Sequence, residues 1–188
     1  ALVRKYTALH DAYISVVEAL KHGGIPEHVT VDIHWIESED LTEENADSLL
    51  GQMQGIIVPG GFGSRGIEGM IVAAKYAREH KIPYLGLCLG MQIAIIEFAR
   101  NVCGLADANS IEIDPNTTYP VIALLPDKNG IEDIGGTLRL GSYPCVLDEN
   151  SQAYKEYGSI EIHERHRHRY EVNNDFRSVL AENGLMLC

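Results

Sequence analysis

The residue with the most chemistry to offer is Cys88, held between glycines in "GLCLG" at residues 86–90. An apolar run, "IPYLGL", leads into it, and a helix-like run, "LGMQIAIIEFARNVC", leads out. A strand that delivers a residue to a sharp turn opening a helix is a nucleophile elbow, here with sulfur in place of a serine oxygen. Side chains at Gly86 and Gly90 would crowd such a turn. The helix N-terminus favours the thiolate, and the backbone N–H groups that follow can hold a developing oxyanion. The competing reading is a small buried cysteine that only packs, and an isolated G-x-C-x-G favours it. The flanking strand and helix shift the reading toward a nucleophile. A second glycine-rich turn, "PGGFG" at residues 59–63, ends another apolar strand. Parallel sheets gather their sites at that edge. A phosphate-loop reading of "PGGFGSRG" is the weaker one, because the Lys-Ser/Thr pair and the dinucleotide spacing are both absent.

The elements that position these turns follow from hydrophobic periodicity. Ala1 to Val3 opens in apolar residues as a strand. "DAYISVVEALKHGG" reads as a helix with Tyr13, Val16, Val17 and Leu20 on one face and Gly23 as its stop. "VTVDIHWI" alternates, which puts Val29, Val31, Ile33 and Trp35 on the inward face of a half-buried strand. Residues 42–50 read as a short helix with Glu43 and Glu44 at its start. "GIIVPGG" and "IPYLGL" read as strands covered on both faces, and "GIEGMIVAAKYAREHK" as the helix between them. Four strand–helix alternations predict an α/β fold: an open, mostly parallel sheet with helices on both faces. Beyond Gly104, short strands such as "YPVIALL" and "TLRLGSYPCVL" among Asn, Asp, Pro and Gly predict a small antiparallel extension. "SQAYKEYG" is a short helix stopped by Gly158, "IEIHERHRHRYEVNN" is extended, "DFRSVLAENG" is a helix, and "LMLC" begins another strand.

Composition narrows the function classes. The 188 residues are 45% hydrophobic and 22% charged, enough for one globular domain with a real core. A net charge of −12 argues against nucleic-acid binding while leaving room for a small anion held by local arginines. No apolar run approaches the roughly 18 residues that span a bilayer, and no signal peptide opens the sequence, so no membrane partner is expected. Cys88, Cys103, Cys145 and Cys188 show no CxxC rhythm, which points to free thiols in a cytoplasmic protein without a metal site. His166 and His168 share a strand face. Interleaved with arginines, they read as a basic cluster for a carboxylate or a neighbouring domain in preference to a metal site. Glu97, inside the helix after Cys88, reads as a structural acid. His34, His80 and His163 read as surface or half-buried residues, Asp107, Asp114 and Asp127 as loop residues, and Cys103 and Cys145 as packing.

"VPGGFGSRGIEG", "GLCLGMQIAIIEFARN", "GGTLRLGSYPC" and "ERHRHRYEVNN" together resemble the glutaminase domain of the CTP synthase family, a class I (triad) glutamine amidotransferase. The resemblance runs nearly from end to end. "GLCLGMQ" alone indicates the amidotransferase class, and "GGTLRLG" with "RHRHRYEVN" narrows it. It implies a flavodoxin-like glutaminase fold in which Cys88 attacks the side-chain amide of L-glutamine. Gly60 or Gly61 and Leu89 would then form the oxyanion hole. Leu89, Gly90, Met91, Gln92, Glu112 and Arg169 would hold glutamine, with Glu112 on its α-amino group and Arg169 on its α-carboxylate. Phe62, Tyr170 and Gly61 would line the pocket. No cofactor is implied for this domain. The ammonia would pass to a synthetase domain that uses ATP and Mg2+ to aminate UTP, and GTP would act as activator through Arg65, Gly66 and Glu68. A homo-oligomer, a tetramer in the family, is implied as well.

The departures from the family are also informative. The family's relay His and Glu lie in an "HPE" segment, and none of the eight histidines here stands in an H-x-E sequence. Residues 1–188 are therefore read as one glutaminase domain truncated at its C-terminus, with no base for Cys88 and inactive alone. Arg4 stands where glycine is usual and Met70 where lysine is usual, and Met70 weakens the effector-loop assignment. The alternatives are another class I amidotransferase, a different cysteine hydrolase, and a catalytically incomplete binding or assembly module.

Overall fold

Leu2–Arg4 forms β1, and its Leu2 and Val3 are fully buried. The computed structural model describes residues 1–5, 10–124 and 139–186. Two compact units make up the chain, Ala1–Glu97 and Phe98–Cys188.

In the first unit a 3-10 turn at His10–Tyr13 leads into α1, Ile14–Gly24. Then come β2 (Trp35–Glu37), α2 (Ala46–Leu50), β3 (Ile56–Val58), α3 (Ile67–His80) and β4 (Tyr84–Gly86), and α4 (Leu89–Asn101) starts after the elbow. The sheet order is β2-β1-β3-β4, and every pair is parallel. Parallel neighbours need crossover connections, which α1, α2 and α3 supply. Successive strands run outward in opposite directions from β1, so the topological switch point lies between β1 and β3. α3 packs on β1, β3 and β4 and buries Ile67, Met70, Ile71 and Tyr76 beside Ala73, Ala74 and Ala77. The alanines let the helix axis approach the sheet closely.

The periodicity reading holds for most of this unit and fails in four places. The short helix begins at Ala46, so Glu43 and Glu44 lie in the turn before it and not at its start. Residues 29–34 are not strand, and β2 presents Ile36 inward while Trp35 is 41% exposed. That is the opposite face from the one predicted, because a slip of one residue reverses every side chain in a strand. The Trp35 ring instead carries the Arg4 guanidinium, 4.4 Å from its centroid. Gly23 does not stop α1, which runs on to Gly24. The strands are also not equally covered on both faces. Leu85 is half exposed, and Val16, Leu20, Ile57, Leu85 and Leu87 line an apolar cavity of about 530 Å³ between α1 and the sheet.

The second unit contains β5 (Ala108–Ser110), β6 (Tyr119–Leu124), β7 (Arg139–Val146), α5 (Gln152–Tyr157), β8 (Glu161–His168), β9 (Tyr170–Val172) and α6 (Arg177–Glu182). β7 and β8 pair antiparallel along eight residues, from Arg139 opposite His168 to Val146 opposite Glu161. β6 pairs antiparallel with β9 but parallel with β5, so this extension is mixed and not wholly antiparallel. Ser151 caps α5 by accepting from the Tyr154 N–H at 3.0 Å, and Gly158 ends it at φ +67°. Leu185 and Met186 are not strand. Asp127, the first four residues of "GGTLRLG", and Cys188 lie outside the described residues.

Candidate active site

β3 and β4 leave the sheet side by side, and the Leu87 N–H donates to the Val58 carbonyl at 2.9 Å, one step beyond the strands. The chain then turns at Cys88, whose φ of +54° lies in the left-handed region. A non-glycine residue there costs about 1–3 kcal/mol and persists only where its surroundings hold it, as they do at functional turns. The Cys88 carbonyl accepts from the Gln92 N–H at 3.2 Å, which starts α4 immediately after the thiol. Cys88 is exposed, so it is not the small buried cysteine of the competing reading. Both flanking glycines are sterically required. A Cβ at Gly90 would sit 1.9 Å from the Val58 carbonyl oxygen, and one at Gly86 would sit 2.4 Å from the Gly90 carbonyl carbon.

Buried polar groups brace this turn. Tyr84 donates its hydroxyl to the Gly90 carbonyl at 2.8 Å, and burial, with the Glu97 charge behind it, pushes its phenol well above the ordinary range. Glu97 is 2% exposed and accepts from Arg78 Nε at 3.0 Å and Nη2 at 2.8 Å, which joins α4 to α3. That bond to Glu97 raises the Arg78 guanidinium further above its already high range. Glu97 is the structural acid the sequence suggested.

The "PGGFG" turn meets the elbow from the β3 side. A Cβ on Gly60 would lie 3.5 Å from the Cys88 Cβ, so the Gly60 backbone passes directly against the thiol-bearing carbon. Gly61 sits between the side chains of Leu89 and Lys5, whose nearest atoms would lie 3.3 and 3.5 Å from an added Cβ. Cys88, Gly60, Gly61 and Leu89 are thus brought together in the first unit. Leu89, Gly90 and Gln92 are buried, Met91 is exposed, and Phe62 is 70% exposed. Arg65 and Glu68 are exposed, and Gly66 at φ +68° is the residue before α3. Met70 is fully buried and belongs to the core. Sequence reasoning missed Lys5. It is 2% exposed, and its Nζ donates to the Gly63 carbonyl at 2.5 Å and the Phe62 carbonyl at 3.4 Å. Its place at the end of the first strand was the only available signal.

Glu112, Arg169 and Tyr170 belong to the second unit. Glu112 is exposed in the turn after β5, and its N–H donates to Ser110 Oγ at 3.2 Å. Arg169 is exposed between β8 and β9, and Tyr170 opposes Leu124 in the sheet. On the shared face of β8, His166 Nδ1 and His168 Nε2 lie 2.7 Å apart, and Tyr143 stands edge-on to His166. Glu171 pairs with Arg139 at 2.9 Å and lies 3.6 Å from His168. Burial holds the His168 imidazole below its ordinary range, with Glu171 opposing. Among the described residues no group of three or more His, Cys, Asp or Glu is placed to hold a metal ion.

A family model described as glutamine amidotransferase class-I matches residues 8–185. The chain belongs to the class-I glutamine amidotransferase family. The amidotransferase chain is 60% identical over 186 residues to a CTP synthase of Clostridium acetobutylicum, which covers 99% of this chain and 35% of that protein. It is 59% identical over 186 residues to a CTP synthase of Bacillus velezensis, again covering 99% of this chain and 35% of the relative. It therefore spans about a third of the length of these curated relatives. Among solved structures it matches the Trypanosoma brucei CTPS glutaminase domain with bound acivicin. The TM-score is 0.89 at 40% identity, covering 97% of this amidotransferase chain and 71% of the other. The resemblance carried by "GLCLGMQ" and "RHRHRYEVN" thus holds, and so does the α/β fold it implied. Among the described residues no helix is long and apolar enough to cross a membrane.

Proposed function

We propose that this chain is the glutamine-hydrolysing domain of a CTP synthase, with Cys88 as its nucleophile. The observation that carries the reading is the exposed Cys88 at φ +54°, opening α4 with the Gly60 backbone against its Cβ. The names of the relatives and the acivicin bound to the solved neighbour support the same substrate class.

In this mechanism the Cys88 thiolate, favoured by the α4 N-terminus, attacks the side-chain carbonyl carbon of glutamine. A C–S bond forms, and the oxygen takes the electron pair beside the N–H groups of Leu89 and of Gly60 or Gly61. The C–N bond then breaks, the nitrogen leaves with an added proton as ammonia, and a γ-glutamyl thioester remains. Water hydrolyses the thioester to glutamate and restores the thiol. The resemblance assigns Glu112 to the α-amino group and Arg169 to the α-carboxylate of glutamine, and Phe62, Tyr170 and residues 89–92 to further contacts with it. The resemblance assigns the proton relay to an "HPE" segment, and no histidine of this sequence has that context. In the whole enzyme the ammonia aminates ATP-activated UTP in a Mg2+-dependent synthetase domain. GTP stimulates through Arg65, Gly66 and Glu68, and the enzyme works as a cytoplasmic homo-oligomer.

The test uses the protein expressed from its natural reading frame. Diazo-oxo-norleucine should label Cys88, and Cys88→Ala should lower glutamine-dependent CTP formation by about three orders of magnitude or more. Added ammonia should restore CTP formation in the same variant. Full glutamine-dependent activity in Cys88→Ala, or labelling at another residue, refutes the assignment.

A further inference from the structure

Lys5 is a buried ammonium that the proposed chemistry does not use. Removing such a charge from water costs several kcal/mol unless hydrogen bonds compensate, so its place inside the unit needs a physical reason. Its partners include two consecutive backbone carbonyls, Phe62 and Gly63, in the turn that lies against Cys88. The contact is also returned, since the Arg65 guanidinium donates to the Lys5 carbonyl and pairs with Glu39 at 3.6 Å. The loop is thus held to the end of β1 at residues 62, 63 and 65. This junction is the switch point between β1 and β3, where open parallel sheets place their sites.

We propose that Lys5 is a positioning residue that sets the peptide planes of the Gly60–Gly63 turn beside Cys88. A trans peptide is planar, with its C=O and N–H pointing opposite ways. Carbonyls 62 and 63 are drawn to the ammonium, so the N–H groups of Gly63 and Ser64 face away from it. The same contact fixes the left-handed Gly63, φ +76°, from both sides. Upstream, the Lys5 stem and the Leu89 side chain flank Gly61, which limits the swing of the peptide between Gly60 and Gly61. An oxyanion hole depends on donors fixed before the reaction begins. A tether one residue beyond those donors therefore acts on turnover more than on substrate affinity.

The catalytic consequence rests on the glutaminase reading, so the experiment has one readout that depends on it and one that does not. Lys5→Met keeps the stem and removes the ammonium, in the protein expressed from its natural reading frame. Cleavage by trypsin after Arg65, followed by mass spectrometry, should become about ten-fold faster or more as the loop opens locally. The kcat for glutamine should fall about 10- to 100-fold with KM within about two-fold, the pattern of an interaction made in the transition state. Cleavage at the wild-type rate overturns the tether, and a change in KM alone overturns its positioning role. If Lys5→Met does not fold, Lys5→Gln, which keeps a donor, carries the same comparison, with intermediate values expected and wild-type values overturning the proposal. A wild-type protein that hydrolyses no glutamine refutes the glutaminase reading, and the cleavage rate still decides the tether.

Discussion

Gly90→Ala tests whether the elbow is set by steric contact or by the sequence around it. The added Cβ would sit 1.9 Å from the Val58 carbonyl oxygen and 2.8 Å from its carbon. Ordinary contact begins near 3.4 Å, so the first turn of α4 must withdraw from β3 by more than an ångström. That carbonyl also accepts from the Leu87 N–H at 2.9 Å, the last rung joining β3 to the elbow strand. Overpacking of this kind costs about 1–3 kcal/mol, and the strained hydrogen bond adds about 1. The expected loss is about 2–4 kcal/mol, a shift of roughly 5–15 °C in Tm for a chain of this size. Gly23→Ala is the internal control. Nothing lies within 4 Å of a Cβ there, and the residue is inside α1 without positive φ. It should stabilise by about 0.5–1 kcal/mol. Thermal and urea unfolding, with the rate of Cys88 alkylation by iodoacetamide, measure both variants. Gly90→Ala that melts with the wild type, or is no worse than Gly23→Ala, refutes the close-approach argument.

Two further predictions concern the polar groups around the site. Arg78→Met removes the guanidinium that binds the buried Glu97 carboxylate, and it should cost about 2–4 kcal/mol in urea unfolding, the lower end of broken buried pairs because Arg78 is a third exposed. Adding Glu97→Gln should return part of that loss, whereas a single variant within about 0.5 kcal/mol of wild type contradicts the bracing role. His168 is held below its ordinary value of 6.5 first by burial, with His166 and Arg139 reinforcing and Glu171 opposing. The unfolded state therefore binds this proton first, so stability should be full above about pH 6.5 and fall as the pH drops below it. His168→Gln should flatten the change in urea midpoint between about pH 7.5 and 5, and an unchanged slope rejects the assignment.

The parallel core was legible because burial imposes a pattern on residue type. "GIIV" had to be strand and "MIVAAKYA" helix, since each alternative would leave an apolar face in water. The errors fall where the pattern was ambiguous. The alternation from Val29 to Trp35 is a plausible strand, yet burial of Ile36 and stacking of Trp35 on Arg4 reversed its face. The parallel pairing of β5 with β6 was hidden for a related reason. Three residues at Ala108–Ser110 carry too short a signal to set a direction, and their pairing contains a register shift.

The elbow itself was legible because its requirements are steric and local: two glycines where backbones touch, and an exposed cysteine between them. What supports it was not legible, because charge in a sequence is ordinarily read as surface. Lys5, Arg78, Glu97 and the Tyr84 hydroxyl are all polar, and the structure uses each one inward. Lys5 holds the carbonyls of the glycine turn, Tyr84 holds the Gly90 carbonyl, and the Arg78–Glu97 pair fixes α4 against α3. A left-handed Cys88 is worth its strain only if the turn cannot relax, and hydrogen bonds in a low-dielectric interior resist relaxation better than apolar contacts, which tolerate sliding. The buried polar groups therefore cluster at the strained residue because directionality is needed there. By the same argument, loss of one of them should disturb the geometry at Cys88 before it unfolds the chain.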